Sequence, residues 1–180
     1  MSVLDIRVLG DPILRQDTML VTAFTPELQL LIDDMFETMH AAKGVGLAAP
    51  QVGRSERLTV VDANGARHVL INPEIIEREG SIKWEEGCLS IPEIYGDVTR
   101  AARVVVRALD REGKTFDVEG TELFGVCLQH EIDHLHGRLF IDHLSFLKRQ
   151  KALAEWEAER VKYPNLVRTI VPGEDDQTEL

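Results

Sequence analysis

The chain has 180 residues, a length that suits one domain with a hydrophobic core. Apolar residues make up 44% and charged residues 28%, which is the balance of a globular protein and excludes a disordered chain. The formal net charge of −11 disfavours general binding to DNA or other polyanions. Since no apolar run is long enough to span a bilayer and the start of the chain lacks an apolar signal core, we expect a cytoplasmic protein without a membrane partner.

The two cysteines are too few for a disulfide framework and fit a reducing compartment. The stretch 173–180 is acidic, and we expect it to form a frayed tail. No internal repeat or linker divides the chain. We therefore expect residues 1–180 to form a single domain.

The first predicted element is a helix over residues 26–42. Thr25 suits the N-cap and Pro26 suits the first helical position. Apolar residues then recur at helical spacing until Lys43-Gly44 ends the pattern. The glycine-rich stretch that follows, GVGLAAPQVG, is typical of a loop or an irregular strand.

The middle of the chain favours β-structure. Segments 57–62 and 67–71 flank Asn64-Gly65, a dipeptide typical of a two-residue hairpin turn. Residues 73–78, 98–110 and 115–118 are also expected to be extended.

Helical spacing returns at residues 122–135, and Gly137 is expected to end that helix. A further helix is expected over about 145–163, packed outside the β core. Helices that flank a group of consecutive strands indicate an α+β fold. We expect antiparallel or mixed sheets around a central helix, with an N-terminal helix and a long C-terminal helix.

The main chemical signal is the sequence HEIDH at residues 130–134, in the central helix. Residues four apart on a helix lie one turn above each other, with about 5–6 Å between their Cβ atoms. His130 and His134 are therefore able to bind one metal ion. Glu131 lies beside them and reaches a metal-bound water without binding the metal. The pattern indicates a metallohydrolase with Glu131 as its acid/base.

The third metal ligand decides the class of enzyme. Phe140 occupies the position at which a longer zinc-protease pattern has a histidine, which excludes that pattern. Cys88 is the better candidate, because a thiolate with two imidazoles leaves the fourth position open for water. Cys127 shares a helix face with the histidines, but three ligands on one helix do not easily surround a tetrahedral ion. A zinc peptidase that uses a glutamate of the last helix also stays open on spacing alone; the candidates are Glu155, Glu157 and Glu159.

Three segments together resemble the peptide deformylase family. Residues 44–51, GVGLAAPQ, match its motif GxGLAAxQ; residues 86–90, EGCLS, match EGCxS; residues 129–134, QHEIDH, match QHExDH. The motifs stand in the family's order with every key residue intact, and the resemblance covers about four-fifths of the chain. The C-terminus is similar to the bacterial type that has an extra terminal helix.

The resemblance implies removal of the formyl group from formylmethionine at the start of newly synthesised polypeptides. It implies one divalent metal per chain, with Fe²⁺ expected and Zn²⁺, Ni²⁺ or Co²⁺ able to occupy the site. The ligands it implies are Cys88, His130 and His134.

The resemblance also assigns roles in the reaction. A metal-bound hydroxide attacks the formyl carbon, and the oxygen that gains charge is stabilised by the Gln51 side chain and the Leu89 backbone N–H. Glu131 takes a proton from water and passes it to the leaving amine. A catalytically silent relative that only binds peptides is the alternative from another class, and the intact motifs argue against it.

A substrate site follows from the same resemblance. The peptide is expected to pair as an added strand with the backbone at Gly44, Gly46 and Gly87. The methionine pocket is expected to involve Val45, Trp84, Glu86, Leu123, Val126 and Cys127. Tyr95 stands where many relatives have arginine, so we expect a hydroxyl contact with the substrate in place of a basic one.

Two charged features remain. Asp133 is expected to pair with Arg100 or Arg103 and so fix the metal-binding helix. The sequence Lys148-Arg149-Gln150-Lys151 on the last helix is a candidate contact with ribosomal RNA, where the substrate emerges, or a solvated helix face.

Overall fold

A computed structural model describes residues 2–172, so the predicted acidic tail lies outside the described residues. The described part contains three α-helices: α1 (Pro26–Ala41), α2 (Glu122–Leu135) and α3 (Phe146–Glu159). Its strands are β1 (Ile6–Arg7), β2 (Gly46–Ala48), β3 (Leu58–Ala63), β4 (Ala66–Glu79), β5 (Ile82–Cys88), β6 (Ile91–Arg100), β7 (Arg103–Leu109), β8 (Thr115–Thr121) and β9 (Val167–Arg168). Between residues 2 and 172 no helix is both long and apolar enough to cross a membrane.

The strands form one large sheet and two small ones. The five-stranded sheet has the order β2-β3-β4-β7-β8, β5 pairs with β6, and β1 pairs with β9. All of these pairs are antiparallel. Together with the three helices this is the predicted α+β fold, and β2 lies at an edge of the large sheet.

The hairpin between β3 and β4 forms as predicted. Asn64 has a φ of 57° and Gly65 a φ of 79°, the left-handed pair that a tight two-residue turn requires. The two segments predicted after this turn, 67–71 and 73–78, are one strand with register shifts on either side of residues 74 and 75. Asn72 lies within the first register shift. Its side chain accepts a hydrogen bond from the Val21 N–H and donates one to the Val21 oxygen.

Helix α1 begins as the sequence predicts. The Thr25 hydroxyl accepts a hydrogen bond from the Leu28 N–H at 3.2 Å, and Pro26 is the first helical residue. The buried face of α1 packs on β2 and β3 in the first of three apolar cores. This contact holds the glycine-rich β2 strand in place.

Helix α2 has the bounds that its spacing predicts, and it is buried along most of its length. It begins directly after β8 because two glycines permit a close approach: a Cβ atom at Gly125 would lie 2.8 Å from the Gly120 oxygen. Gly137, with a φ of 71°, follows the last turn. The helix therefore crosses the interior and carries polar side chains into it.

The C-terminal helix is shorter than the predicted 145–163. The Ser145 hydroxyl caps α3, and a short 3₁₀ turn over Arg160–Lys162 follows it. Ala152 and Trp156 bury one face of α3 in the core beneath the β5–β6 hairpin. The chain then returns as β9 along β1, which sequence periodicity does not reveal because two-residue strands are too short to show alternation.

Candidate metal centre

Two elements bring the candidate ligands together. Strand β5 ends at Cys88, and α2 presents His130 and His134 one turn apart. The Cys88 Sγ lies 3.3 Å from the His134 Nε2, which lies 3.2 Å from the His130 Nε2. The three side chains are buried, and among the described residues they form the one cluster whose ligand atoms all lie within 4.8 Å of one another.

The protonation of these groups suits a cation. The Glu86 carboxylate accepts a hydrogen bond from the His130 Nδ1 at 2.8 Å, which leaves the Nε2 of that ring directed at the cluster. Burial lowers the pKa of His134 well below its usual range, which keeps that imidazole neutral. The raised pKa of His130 places a proton between the two Nε2 atoms in the metal-free protein, and a metal ion would replace that proton. One sulfur and two imidazole nitrogens are a donor set for divalent transition metals.

The Cys88 thiol supports the same interpretation. Burial raises its pKa, so a thiolate at this position needs a compensating positive charge. For His130, burial lowers the pKa, but hydrogen bonds with Cys88 and Glu86 outweigh burial and raise it well above its usual range. A bound metal ion would supply the positive charge that the buried thiolate requires.

A buried ion-pair network lies behind His130. Both Glu86 oxygens accept from Arg100, at 2.8 and 2.9 Å, and the third Arg100 nitrogen donates to Asp133 at 2.7 Å. His143 contacts the same Asp133 oxygen at 2.7 Å. Burial raises the pKa of Glu86, but the bonds from Arg100 and His130 outweigh it and lower the pKa to about 2. The expected partner of Asp133 is thus Arg100, while Arg103 pairs with surface acids.

The network shows a role for Glu86 that sequence reasoning missed. Its carboxylate points at His130 and Arg100, whereas the sequence analysis gave Glu86 only to the methionine pocket. A carboxylate that orients a ligating histidine is a common companion of metal sites. Glu86 lies two residues before Cys88 in the sequence, and residues two apart on a strand share a face. This spacing is the signal from which the contact with His130 could have been predicted.

Glu131 lies fully buried beside the cluster. Its Oε1 has no hydrogen-bond partner in the described part of the chain, and its Oε2 lies 3.5 Å from the Thr59 hydroxyl. That hydroxyl donates to the Leu47 oxygen at 2.9 Å, so its contact with Glu131 is weak. Burial raises the pKa of Glu131 to about 7. A carboxyl group in this state both accepts and donates a proton near neutral pH.

The β2 strand passes directly over this carboxylate. A Cβ atom at Gly46 would lie 2.7 Å from the Glu131 Oε1 and 2.8 Å from the Cys127 Sγ. Any side chain at this position would displace the acid. The close approach explains why glycine is needed at Gly46 and shows that the sheet edge adjoins the site.

Gln51 and the turn after Cys88 complete the site. The Gln51 Oε1 accepts from the Ala48 N–H at 2.9 Å, so its amide nitrogen faces the turn. That nitrogen donates to the Ser90 hydroxyl at 3.1 Å and lies 3.7 Å from the Cys88 Sγ. The Leu89 side chain packs at Gly44, where a Cβ atom would lie 2.6 Å from the Leu89 Cδ1.

Most of the expected pocket residues lie together. One apolar core contains Val126 and Cys127 as buried members and Val45, Trp84 and Leu123 at its margin. The Cys127 Sγ lies 3.8 Å from the Val45 oxygen and is outside the ligand cluster. Gly87 is buried next to Cys88.

The remaining predicted residues are Tyr95 and the glutamates in and near α3. Tyr95 lies on β6 next to Gly96, the residue that pairs with Glu86 of β5, and it lines a surface cleft with Lys148 and Lys151. The glutamates considered for a peptidase site pair with basic residues of their own segment. These pairs are Glu155 with Lys151, Glu157 with Arg160, and Glu159 with Lys162.

Removal of the buried arginine is expected to cost far more stability than removal of its surface counterpart. Arg100→Met removes the guanidinium that Glu86 and Asp133 share and leaves each carboxylate with one histidine partner, and we expect a loss of about 3–5 kcal/mol in the free energy of unfolding of the metal-free protein. Urea denaturation measures it. Arg103→Met also removes an arginine with several acidic partners, but these are exposed, and we expect a much smaller loss. Equal losses for the two variants would contradict the importance of the buried network.

Comparisons with known proteins identify the family of the chain. The sequence profile of the family described as polypeptide deformylase matches residues 3–150. The peptide deformylase of Hydrogenovibrio crunogenus is 51% identical over 168 residues, which are 92% of this chain and 99% of that protein. The peptide deformylase of Alkalilimnicola ehrlichii is 53% identical over 84% of this chain and 87% of its own length.

Solved structures agree as well. A peptide deformylase from Legionella pneumophila superposes with a TM-score of 0.86 at 47% identity, covering 91% of this chain and 99% of the other. The peptide deformylase from Thermus thermophilus gives a TM-score of 0.84 at 44% identity, over 89% and 96% of the two chains. The chain therefore belongs to the peptide deformylase family, whose enzymes remove N-terminal formyl groups.

Proposed function

We propose that this chain is a cytoplasmic, metal-dependent hydrolase that removes the formyl group from formylmethionine of newly synthesised polypeptides. The observation that carries the proposal is the buried cluster of Cys88, His130 and His134, with Glu131 beside it. A thiol and two imidazoles within reach of one ion, next to a carboxyl group that titrates near pH 7, are the parts that amide hydrolysis by a metal enzyme requires.

Cys88, His130 and His134 would hold one divalent metal ion per chain. When bound, the ion supplies a Lewis acid that lowers the pKa of water at the site. We propose Fe²⁺ as the physiological ion, with Zn²⁺, Ni²⁺ or Co²⁺ able to replace it. The mixed sulfur and nitrogen donor set supports a transition metal, and family membership supports the choice of iron.

Glu131 would move the proton. Its carboxylate takes a proton from the attacking water and passes it to the amine that leaves when the formyl C–N bond breaks. The raised pKa supports this role, because the group is able to accept and to release a proton near the same pH. The Oε1 supports it as well, since it has no hydrogen-bond partner among residues 2–172.

Gln51 and the Leu89 backbone N–H would stabilise the formyl oxygen as it gains negative charge. The Gln51 amide is held at both ends, by Ala48 and Ser90, so its donor is oriented before the substrate arrives. Oriented donors of this kind stabilise a transition state without reorganising during the reaction.

The substrate would pair with the edge of β2 at Gly46, with Gly44 just before that strand, and with the backbone at Gly87. The edge position of β2 and its contact with Glu131 support this, because a peptide added there ends next to the acid. The methionine side chain would enter an apolar pocket beside the metal site. Tyr95 would contact residues of the peptide that follow the methionine. The pocket residues we propose are Val45, Trp84, Glu86, Leu123, Val126 and Cys127.

The whole chain would act as one domain. The pairing of β1 with β9 supports this interpretation, because it joins the two ends of the described chain. The site itself draws ligands from a strand and a helix more than 40 positions apart in the sequence, since Cys88 meets His130 and His134.

Replacement of the proposed acid/base is expected to abolish activity without loss of metal. Glu131→Gln keeps the shape of the side chain but removes its proton transfer, and we expect turnover of a formyl-Met tripeptide to fall by about 10²–10⁴-fold in an anaerobic assay. Metal content by elemental analysis is expected to stay at wild-type level. Glu122→Gln, an exposed acid on the same helix, serves as the control. Full activity of Glu131→Gln would refute the assignment.

Helix α3 would contact the ribosome where the substrate emerges. Two supporting features are its basic cluster at residues 148–151 and the exposed side chains of Phe146 and Leu147 before it. We expect the double variant Lys148→Glu, Lys151→Glu to cosediment with ribosomes several-fold less than wild type, with a weaker dependence on salt. The pair Lys83→Glu, Lys114→Glu changes the net charge equally elsewhere. Equal losses in both pairs would count against a contact through α3.

A further inference from the structure

A buried arginine from the end of the chain reaches the turn after Cys88. Arg168 lies on β9, and only 6% of its surface is exposed to solvent. Its Nη1 donates a hydrogen bond to the Leu89 oxygen at 2.9 Å. The family profile ends at residue 150, so this contact comes from a part of the chain outside the matched region. Strand β9 delivers the side chain because it pairs with β1, with Arg168 opposite Ile6.

Burial of a guanidinium group is costly unless its hydrogen bonds compensate. The bond from Arg168 to the Leu89 oxygen is charge-assisted, and it ties the C-terminal segment directly to the residue after Cys88.

The turn after Cys88 makes a second hydrogen bond next to the one from Arg168, at Ser90. The Leu9 N–H donates to the Ser90 oxygen at 2.9 Å, and the Trp156 Nε1–H donates to the Leu9 oxygen at 3.1 Å. The N-terminal strand thus lies between the turn and the C-terminal segment. Arg168 makes the direct contact, and Trp156 makes an indirect one through Leu9.

We propose that Arg168 is a positioning residue for deformylation. By holding the Leu89 oxygen it restrains the peptide plane that follows Leu89, and it thereby limits how far the preceding plane, which carries the Leu89 N–H, is able to move. This inference rests on the proposed function, in which the Leu89 N–H stabilises the formyl oxygen. Small displacements of such a donor are costly, because its alignment with the reacting group sets the rate.

The test compares Arg168→Met, which keeps length but removes the donor, with wild type. In the nickel-loaded enzyme we expect kcat on a formyl-Met tripeptide to fall by about 10-fold with KM within about two-fold, because the loss is felt in the transition state. In the metal-free protein we expect the Leu89 amide to exchange hydrogen about 10-fold faster, as the turn opens more often. Arg168→Lys, which keeps a charged donor, is expected to recover part of both losses.

Ile170→Ala is the matched control, because Ile170 packs against the first core from the same segment with a side chain that has no hydrogen-bond donor. We expect it to lower the melting temperature while kcat and Leu89 exchange stay at wild-type values. Arg168→Met with wild-type kcat and exchange, or with losses no larger than those of Ile170→Ala, overturns the proposal. If Arg168→Met does not fold, the shorter Arg168→Gln replaces it under the same criteria. A wild type without deformylase activity refutes the proposed function instead, while the exchange comparison still decides whether Arg168 holds the turn.

Discussion

The hydrogen bond between Glu86 and His130 joins the two elements on which the candidate site depends. Glu86 belongs to the strand that carries Cys88, and His130 belongs to the helix that carries the other imidazole. The bond sets which nitrogen of His130 faces the cluster. Arg100 then neutralises Glu86 and reaches Asp133 on the helix, so the strand and the helix are tied twice by one network.

This network also explains how so much charge is tolerated in the interior. Removing ions from water is costly, and the cost is offset only when every charged group keeps its partners. Hydrogen bonds from Arg100 and His130 hold Glu86 ionised, and His143 and Arg100 hold Asp133 ionised. Glu131 makes no ion pair with the residues that the structure describes, and burial is the largest factor that raises its pKa to about 7. Neighbouring carboxylates on one helix thus acquire different protonation states from their different surroundings, as the proposed roles of Asp133 as a structural acid and Glu131 as a proton carrier require.

Short-range sequence patterns were sufficient to predict much of the secondary structure. The helix over residues 122–135, the cap of α1 at Thr25 and the Asn64-Gly65 turn all form, because each depends on residues close together in the chain. The strand that carries Cys88 was not predicted, although its partner β6 follows it directly, because it is rich in charged residues and glycine, which are depleted in strands. The β1–β9 pair was not predicted because its two short strands lie at opposite ends of the described chain. The convergence of Cys88 with the two histidines was a prediction from motifs, and the roles of these residues stay predictions that metal binding has to test. The orientation of Glu86 toward His130 and the reach of Arg168 to Leu89 depend on tertiary contacts that no local pattern contains.

X-ray absorption spectroscopy of the enzyme purified without oxygen tests the central claim most directly, because it identifies the metal and its ligands together. The account predicts one metal per chain with one sulfur and two imidazole nitrogens in its shell, at distances of about 2.3 Å and about 2.0–2.1 Å if the ion is zinc. Cys88→Ser is expected to remove the sulfur contribution, while Cys127→Ser leaves it in place. A shell without sulfur, or one that keeps its sulfur in Cys88→Ser, would contradict the assignment of Cys88, His130 and His134 as the metal ligands.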